Sequence, residues 1–218
     1  MKIKHIVWDW NGTLLNDNWL SLNAINILLE KYSLPKIEID RYLEIFTFPV
    51  IDYYQKLGFD FDKLSFEIVG TEFITEYTNG MYDATMHAGA VDVLKYFNNK
   101  GISQSVLSAA KQQMLDNLMK FHNIEKYFVK VTGLTDHYAN SKVDAGKEWI
   151  RELDCSPSEV LFIGDTLHDF EVAKEIGTEC VLIAQGHTSF DRLKSVGKEV
   201  FTNFLELKEW FIKNENIY

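Results

Sequence analysis

Three short apolar runs in this chain stop at the same kind of polar group. Ile6-Val7-Trp8 ends in Asp9, with the turn-forming Asn11-Gly12-Thr13 just beyond. Val106-Leu107 ends in Ser108-Ala109, and Leu161-Phe162-Ile163 ends in Gly164-Asp165-Thr166, with Asp169 four residues after Asp165. Apolar runs this short, without alternation, read as strands buried on both faces. Strand-like stretches also occupy residues 128–132 and 180–184. Between them lie segments with apolar residues at helical spacing: Val91, Leu94 and Phe97, then Met114, Leu115, Leu118 and Phe121, then residues 143–153 and 169–176. Helices alternating with short apolar strands indicate an α/β chain with a doubly wound parallel sheet. Ligands of such sheets bind outside the carboxyl ends of the strands. The three polar strand ends, far apart in sequence, are therefore expected to converge.

The alternation is interrupted once. From about residue 19 to residue 82 the chain reads as helices only, with Leu20, Ala24, Ile27, Leu28 and Tyr32 on one face of the first. Tyr42, Ile45 and Phe46, then Ile51, Tyr54 and Leu57, mark two more, and residues 61–77 a fourth. The simplest organisation is a core domain of residues 1–16 and 86–218 carrying an inserted, all-helical cap of residues 17–85. Lys plus Arg number 22 against 32 for Asp plus Glu, a formal net charge of −10. Such a chain is a poor match for nucleic acid or an anionic membrane, and an anionic substrate needs local cations to overcome the global field. Cys155 and Cys180 match no metal knuckle or redox pair and read as thiols in a reducing compartment. With no long apolar run, the expectation is a cytoplasmic protein, monomer or homodimer.

The segment Asp9-Trp10-Asn11-Gly12-Thr13-Leu14 resembles the first signature of the haloacid dehalogenase-like hydrolases. Ser108 after its apolar strand is similar to their second motif, Lys142 to the third, and Gly164-Asp165-Thr166-Leu167-His168-Asp169 to the fourth. The order and separations agree over essentially the whole chain. The helical insertion, and Val181 to His187 after the fourth motif, resemble the phosphoglycolate phosphatase-like branch. The resemblance implies a Rossmann-like core and a Mg²⁺-dependent phosphatase acting on a small phosphorylated metabolite. It implies that Asp9 is the nucleophile that becomes an aspartyl-phosphate. Mg²⁺ would be held by Asp9, the backbone carbonyl of Asn11 and Asp165, with Asp169 binding it directly or holding its waters, although either later carboxylate could instead cap the helix. Lys142 would neutralise the transferring group, with Lys147 the fallback because Val143 follows Lys142 where the family commonly has Pro. Ser108 and the Ala109 amide would bind phosphate oxygens, Gly12 would allow close approach, and Thr13 would support the loop.

One position departs from the family. Asn11 stands where its phosphatases usually carry a second Asp, which protonates the leaving oxygen and then activates water. An amide does neither, and general acid–base catalysis typically contributes about 10²–10⁴-fold. The expectations are a slow phosphatase, a preference for good leaving groups such as acyl phosphates, or a catalytically impaired protein that binds a phosphorylated ligand in a regulatory role. Restoring the carboxylate by Asn11→Asp is expected to raise activity. His87, His168 and His187 are candidate substitutes, the aromatics Phe46, Phe48, Tyr53 and Tyr54 candidate pocket residues, and Lys56 a candidate amine for phosphonate chemistry.

Overall fold

The computed structural model describes residues 3–134 and 142–214. Residues 1–2, 135–141 and 215–218, which the expected core segments include, lie outside the described residues. The chain opens with β1 (His5–Trp8) and the short β2 (Leu15–Asn16), followed by α1 (Asn18–Lys31), α2 (Ile39–Ile45), α3 (Val50–Lys56) and α4 (Phe66–Gly80). It continues through β3 (Thr85–Met86), α5 (Ala90–Asn99), β4 (Ser103–Lys111), α6 (Gln112–Phe121), β5 (Lys130–Leu134), α7 (Lys142–Glu152) and β6 (Val160–Gly164). It ends with α8 (Leu167–Ile176), β7 (Glu179–Ile183), α9 (Phe190–Lys194), β8 (Val200–Phe201) and α10 (Phe204–Asn214).

Six strands form one sheet in the order β5-β4-β1-β6-β7-β8, each paired parallel to its neighbour. Alternate residues of each strand face opposite layers. Ile6, Trp8, Val106 and Ile163 pack with α5, α6 and α10, while Val7, Leu107 and Phe162 pack with α7, α8 and α9. Both faces are therefore covered, which is why the strands read as continuous apolar runs. Trp8 is in register with Val106 on one side and Ile163 on the other. That pairing brings Asp9 after β1, Ser108 within β4 and Asp165 after β6 to one edge. β1 sits where the chain turns from filling one side of the sheet to filling the other, the crevice at which such sheets bind ligands.

The helical insertion is tied to the sheet at its base by β2, which pairs antiparallel with β3 (Leu15 with Met86), a two-residue ribbon too short to read from sequence. Helix α1 serves two cores. Leu20 and Ala24 join the sheet's core, whereas Ile25, Leu28 and Leu29 pack with Tyr42, Tyr53, Tyr54 and Val69 of α2 to α4. Ile27, expected on the apolar face, is 48% exposed, because the buried stripe winds from one core to the other. The insertion's fourth helix begins at Phe66, later than expected, after Ser65 caps it by accepting the Ile68 N–H.

Candidate active site

The loop after β1 is wound tightly against β6. The Asp9 N–H donates to the Ile163 carbonyl at 2.9 Å, and the Trp10 carbonyl accepts from Leu14 and Leu15, each at 3.0 Å. Gly12 stands at φ +74°, and a Cβ there would collide with the Asp165 carboxylate, so both the turn and the close approach require glycine. Thr13 Oγ1 lies 2.7 Å from Asp165 Oδ1 and 3.1 Å from Asp9 Oδ2, cross-linking the first and fourth motifs.

Asp165 follows β6, and its Oδ2 accepts the His187 N–H at 2.6 Å. Asp169 stands at the third position of α8 and uses its two oxygens differently. Oδ2 caps the helix, accepting from Thr166 N (2.9 Å), Thr166 Oγ1 (2.7 Å) and Asp165 N (3.2 Å). Oδ1 accepts from Lys142 Nζ at 2.6 Å. Lys142, the first residue of α7, also donates to Asp9 Oδ1 at 2.5 Å. Capping and the site are thus compatible uses of one side chain. Lys147 instead lies on the surface, 3.3 Å from Glu175. Ser108, expected just past its strand, is instead buried within β4, which runs on to Lys111 through a register shift after Leu107. Its Oγ accepts the Ala110 N–H at 3.0 Å, and Ala109 is exposed.

Asp9, Asp165 and Asp169 each offer a carboxylate oxygen, and these atoms lie within 4.8 Å of one another. Burial pushes Asp165 up to about 8 and Asp9 up to about 6, Lys142 opposing the rise at Asp9. Burial also works against Asp169, but the Lys142 ammonium and the cap hydrogen bonds hold it below the usual carboxylate range. Burial works against the Lys142 charge too, yet Asp169 and Asp9 hold it well above the ordinary lysine value. Among the described residues, four buried carboxylates (with Asp17, below) meet two buried cationic side chains, Lys142 and His187. The donor set fits a hard divalent cation of Mg²⁺ type, which takes carboxylate oxygens and would offset the surplus negative charge.

Asn11 is not idle. Its amide donates to Asp17 Oδ2 at 2.7 Å and to the Tyr77 hydroxyl at 2.8 Å. Asp17, fully buried just before α1, also accepts from Gly12 N (2.7 Å) and Tyr77 Oη (2.6 Å), with His187 Nε2 3.5 Å away. Burial opposes its charge, but His187, Tyr77 and Asn11 hold its carboxyl below the usual range. His187 is raised to about 9: burial works against its charge, and Asp17 overcomes that. In Asn11→Asp, expected from sequence to gain activity, the new carboxylate would face Asp17 where an amide now donates. Sequence reading missed both Asp17 and Tyr77. An Asp just before a helix reads as its N-cap, yet Asp17 makes no side-chain cap bond.

The histidines divide. His87 Nε2 lies 3.0 Å from the Gly12 carbonyl. His187 Nδ1 pairs with Tyr42 Oη at 2.8 Å, and His168 stacks on Phe48 with ring centroids 4.7 Å apart. Phe46 and Phe48 line a cavity of about 70 Å³ with Thr166, His168 and Arg192, at the seam between insertion and sheet. Arg192 closes that seam by donating to the carbonyls of Leu43 (2.6 Å) and Phe46 (2.9 Å). Tyr53 and Tyr54 are packed inside the insertion, and Lys56 is exposed.

Comparison with known proteins agrees with this fold. The family model for haloacid dehalogenase-like hydrolases matches residues 6–183. A curated relative, pyrophosphatase PpaX of Bacillus cereus, is 21% identical over 190 residues, covering 84% of each chain. Among solved structures, a predicted phosphoglycolate phosphatase from Haemophilus somnus superposes with a TM-score of 0.74 at 15% identity, covering 96% of this chain and 98% of its own. CbbY from Rhodobacter sphaeroides, solved in complex with phosphate, gives 0.72 at 19% identity, covering 94% and 96%.

Proposed function

Because the chain belongs to the haloacid dehalogenase-like hydrolases, we propose that it is a Mg²⁺-dependent phosphatase of a small phosphorylated metabolite, working through an aspartyl-phosphate on Asp9. The observation that carries this reading is the gathering of Asp9, Asp165 and Asp169 at one strand edge, with Lys142 bridging Asp9 and Asp169. The phosphatase and pyrophosphatase names of the relatives, and the phosphate bound to CbbY, support a small phosphorylated ligand.

Asp9, Asp165, Asp169 and the backbone carbonyl of Asn11 would hold Mg²⁺, which supplies charge neutralisation and orientation of the phosphoryl oxygens. The remaining steps belong to the chain. An Asp9 oxygen attacks phosphorus, while Lys142 offsets the charge of nucleophile and phosphoryl group. Thr13 and Lys142 hold the carboxylates in place. Ser108 and the Ala109 amide, on neighbouring β4, offer hydrogen bonds to phosphoryl oxygens. The helical insertion acts as a cap, with Arg192 and the Tyr42–His187 pair holding it down over the strand ends to limit water.

Asn11 favours one second reading, a phosphate-ligand-binding protein with little turnover, because an amide can neither protonate the leaving oxygen nor take a proton from water. Steady-state assays with p-nitrophenyl phosphate decide between them. The wild type is expected to turn over only with divalent cation, and Asp9→Ala to lose at least about 10³-fold. Acid-quenched digests should carry a phosphoryl group on the Asp9 peptide. Wild-type turnover in Asp9→Ala would refute the covalent route, and a wild type that binds phosphate without turnover would establish the second reading.

A further inference from the structure

The environment of Asn11 assigns it an orientation and, through it, a substrate preference. A primary amide nitrogen has two hydrogens, and those of Asn11 are taken by Asp17 Oδ2 and the Tyr77 hydroxyl. The group cannot turn over, because its carbonyl oxygen would then face the Asp17 carboxylate with no proton between them. Asp17 is itself immobilised, since Gly12 N–H fills Oδ1 and Tyr77 O–H fills Oδ2. The half-buried Asn11 therefore has one group left, its carbonyl oxygen, which has no hydrogen-bond partner among the described residues.

We propose that Asp17 is a positioning residue that locks Asn11 as an acceptor, and that this lock restricts the enzyme to phosphorylated substrates whose leaving group departs as a stable anion: phosphoanhydrides, acyl phosphates and aryl phosphates rather than alkyl phosphates. The proposal rests on the phosphatase reading above. In the first step the Asp9–phosphorus bond forms and the bond from phosphorus to the leaving oxygen breaks. The electron pair stays on that oxygen, and the enzyme transfers no proton. In the second step water oxygen bonds to phosphorus and the Asp9 carboxylate departs with its pair. Both water hydrogens leave on dihydrogen phosphate. Asn11 Oδ1 can orient that water by accepting a hydrogen bond, and needs no proton of its own. The arrangement also makes positions 11 and 17 exchangeable only together. Asn11→Asp alone sets two carboxylates against each other, whereas Asn11→Asp with Asp17→Asn again pairs one carboxylate with one amide and leaves the carboxylate on the loop.

The test is kcat/KM of the full chain with saturating Mg²⁺ for acetyl phosphate, inorganic pyrophosphate, p-nitrophenyl phosphate and glycerol phosphate. Wild type, Asn11→Asp, Asp17→Asn and the double variant are compared, each checked for folding by thermal melting. The wild type is expected to prefer p-nitrophenyl over glycerol phosphate by about 100-fold or more, the scale of lost acid catalysis. Asn11→Asp should fall below wild type on every substrate. The double variant should recover the aryl rate to within about tenfold and narrow the aryl-to-alkyl gap by at least about tenfold. A role in folding alone would restore the rate without narrowing that gap. If Asn11→Asp melts early, the double variant still reads the gap. A wild type that hydrolyses glycerol phosphate within tenfold of p-nitrophenyl phosphate, a single Asn11→Asp that matches or exceeds the double variant, or an unchanged gap in the double variant would overturn the proposal. A wild type inert to all four substrates would instead overturn the phosphatase reading, and the proposal with it.

Discussion

At the scale of single residues, the site depends on backbone passing close to carboxylates. A Cβ on Gly186 would collide with Asp165 Oδ2 and stand 2.5 Å from the Gly12 carbonyl. Gly186→Ala must therefore push Asp165 off the position that Thr13 and the His187 N–H define. Displacing a group that orients a metal ligand typically lowers affinity about 10–100-fold, and the Mg²⁺ concentration for half-maximal activity should rise by that order. A Mg²⁺ titration matching wild type would show that Asp165 is not a ligand. Asp9, Asp165 and Asp169 were legible in the sequence because each sits at a strand end or helix start, whereas Lys142 was reached only through the family resemblance. Asp17 and Tyr77 were not legible, because Tyr77 lies 60 residues from Asp17 and 66 from Asn11, and nothing local distinguishes a buried acceptor from a cap.

At the scale of elements, β1 is fastened to β4 by a buried polar circuit as well as by its ladder. His5 Nδ1 lies 2.6 Å from Ser103 Oγ and Nε2 2.7 Å from Ser105 Oγ, and Trp149 of α7 donates to Ser105 at 2.8 Å. With Ser103 donating to the Lys4 carbonyl, the neutral ring with hydrogen on Nδ1 satisfies every member. Burial pushes His5 down to about 4. The unfolded chain takes up this proton near 6.5, the folded chain only near 4. His5 therefore contributes stability in full above pH 6.5, and the contribution is lost as pH falls toward 4. The loss amounts to about 3 kcal/mol. Melting temperatures of wild type and His5→Gln across that window should converge as pH falls, and parallel curves would refute the assignment. Period and run length were enough to read β1, β4, β6 and the helices beside them, whereas β2, β3 and β8, of two residues each, exist only through their tertiary partners.

At the scale of the whole molecule, a chain of net charge −10 is proposed to admit an anion. Lys142 and His187 are buried among carboxylates, so the field met by an approaching phosphate is set largely by the surface. Raising ionic strength from about 0.01 M to 0.15 M shortens the screening length from about 30 Å to about 8 Å. At saturating Mg²⁺ the KM for p-nitrophenyl phosphate should therefore fall severalfold over that range. A KM that rises would mean that local cations, Lys142 foremost, dominate the approach. No helix among the described residues is long and apolar enough to cross a membrane.

From the sequence alone came the alternation of strand and helix, the interruption by helices, and the acidic strand ends, because periodicity and chain punctuation are local properties. The partners of Asn11 came only with the tertiary structure. An amide that looked like a missing acid is the donor half of a buried pair, and the carboxylate it serves becomes its neighbour only when α1 and α4 fold against the first loop.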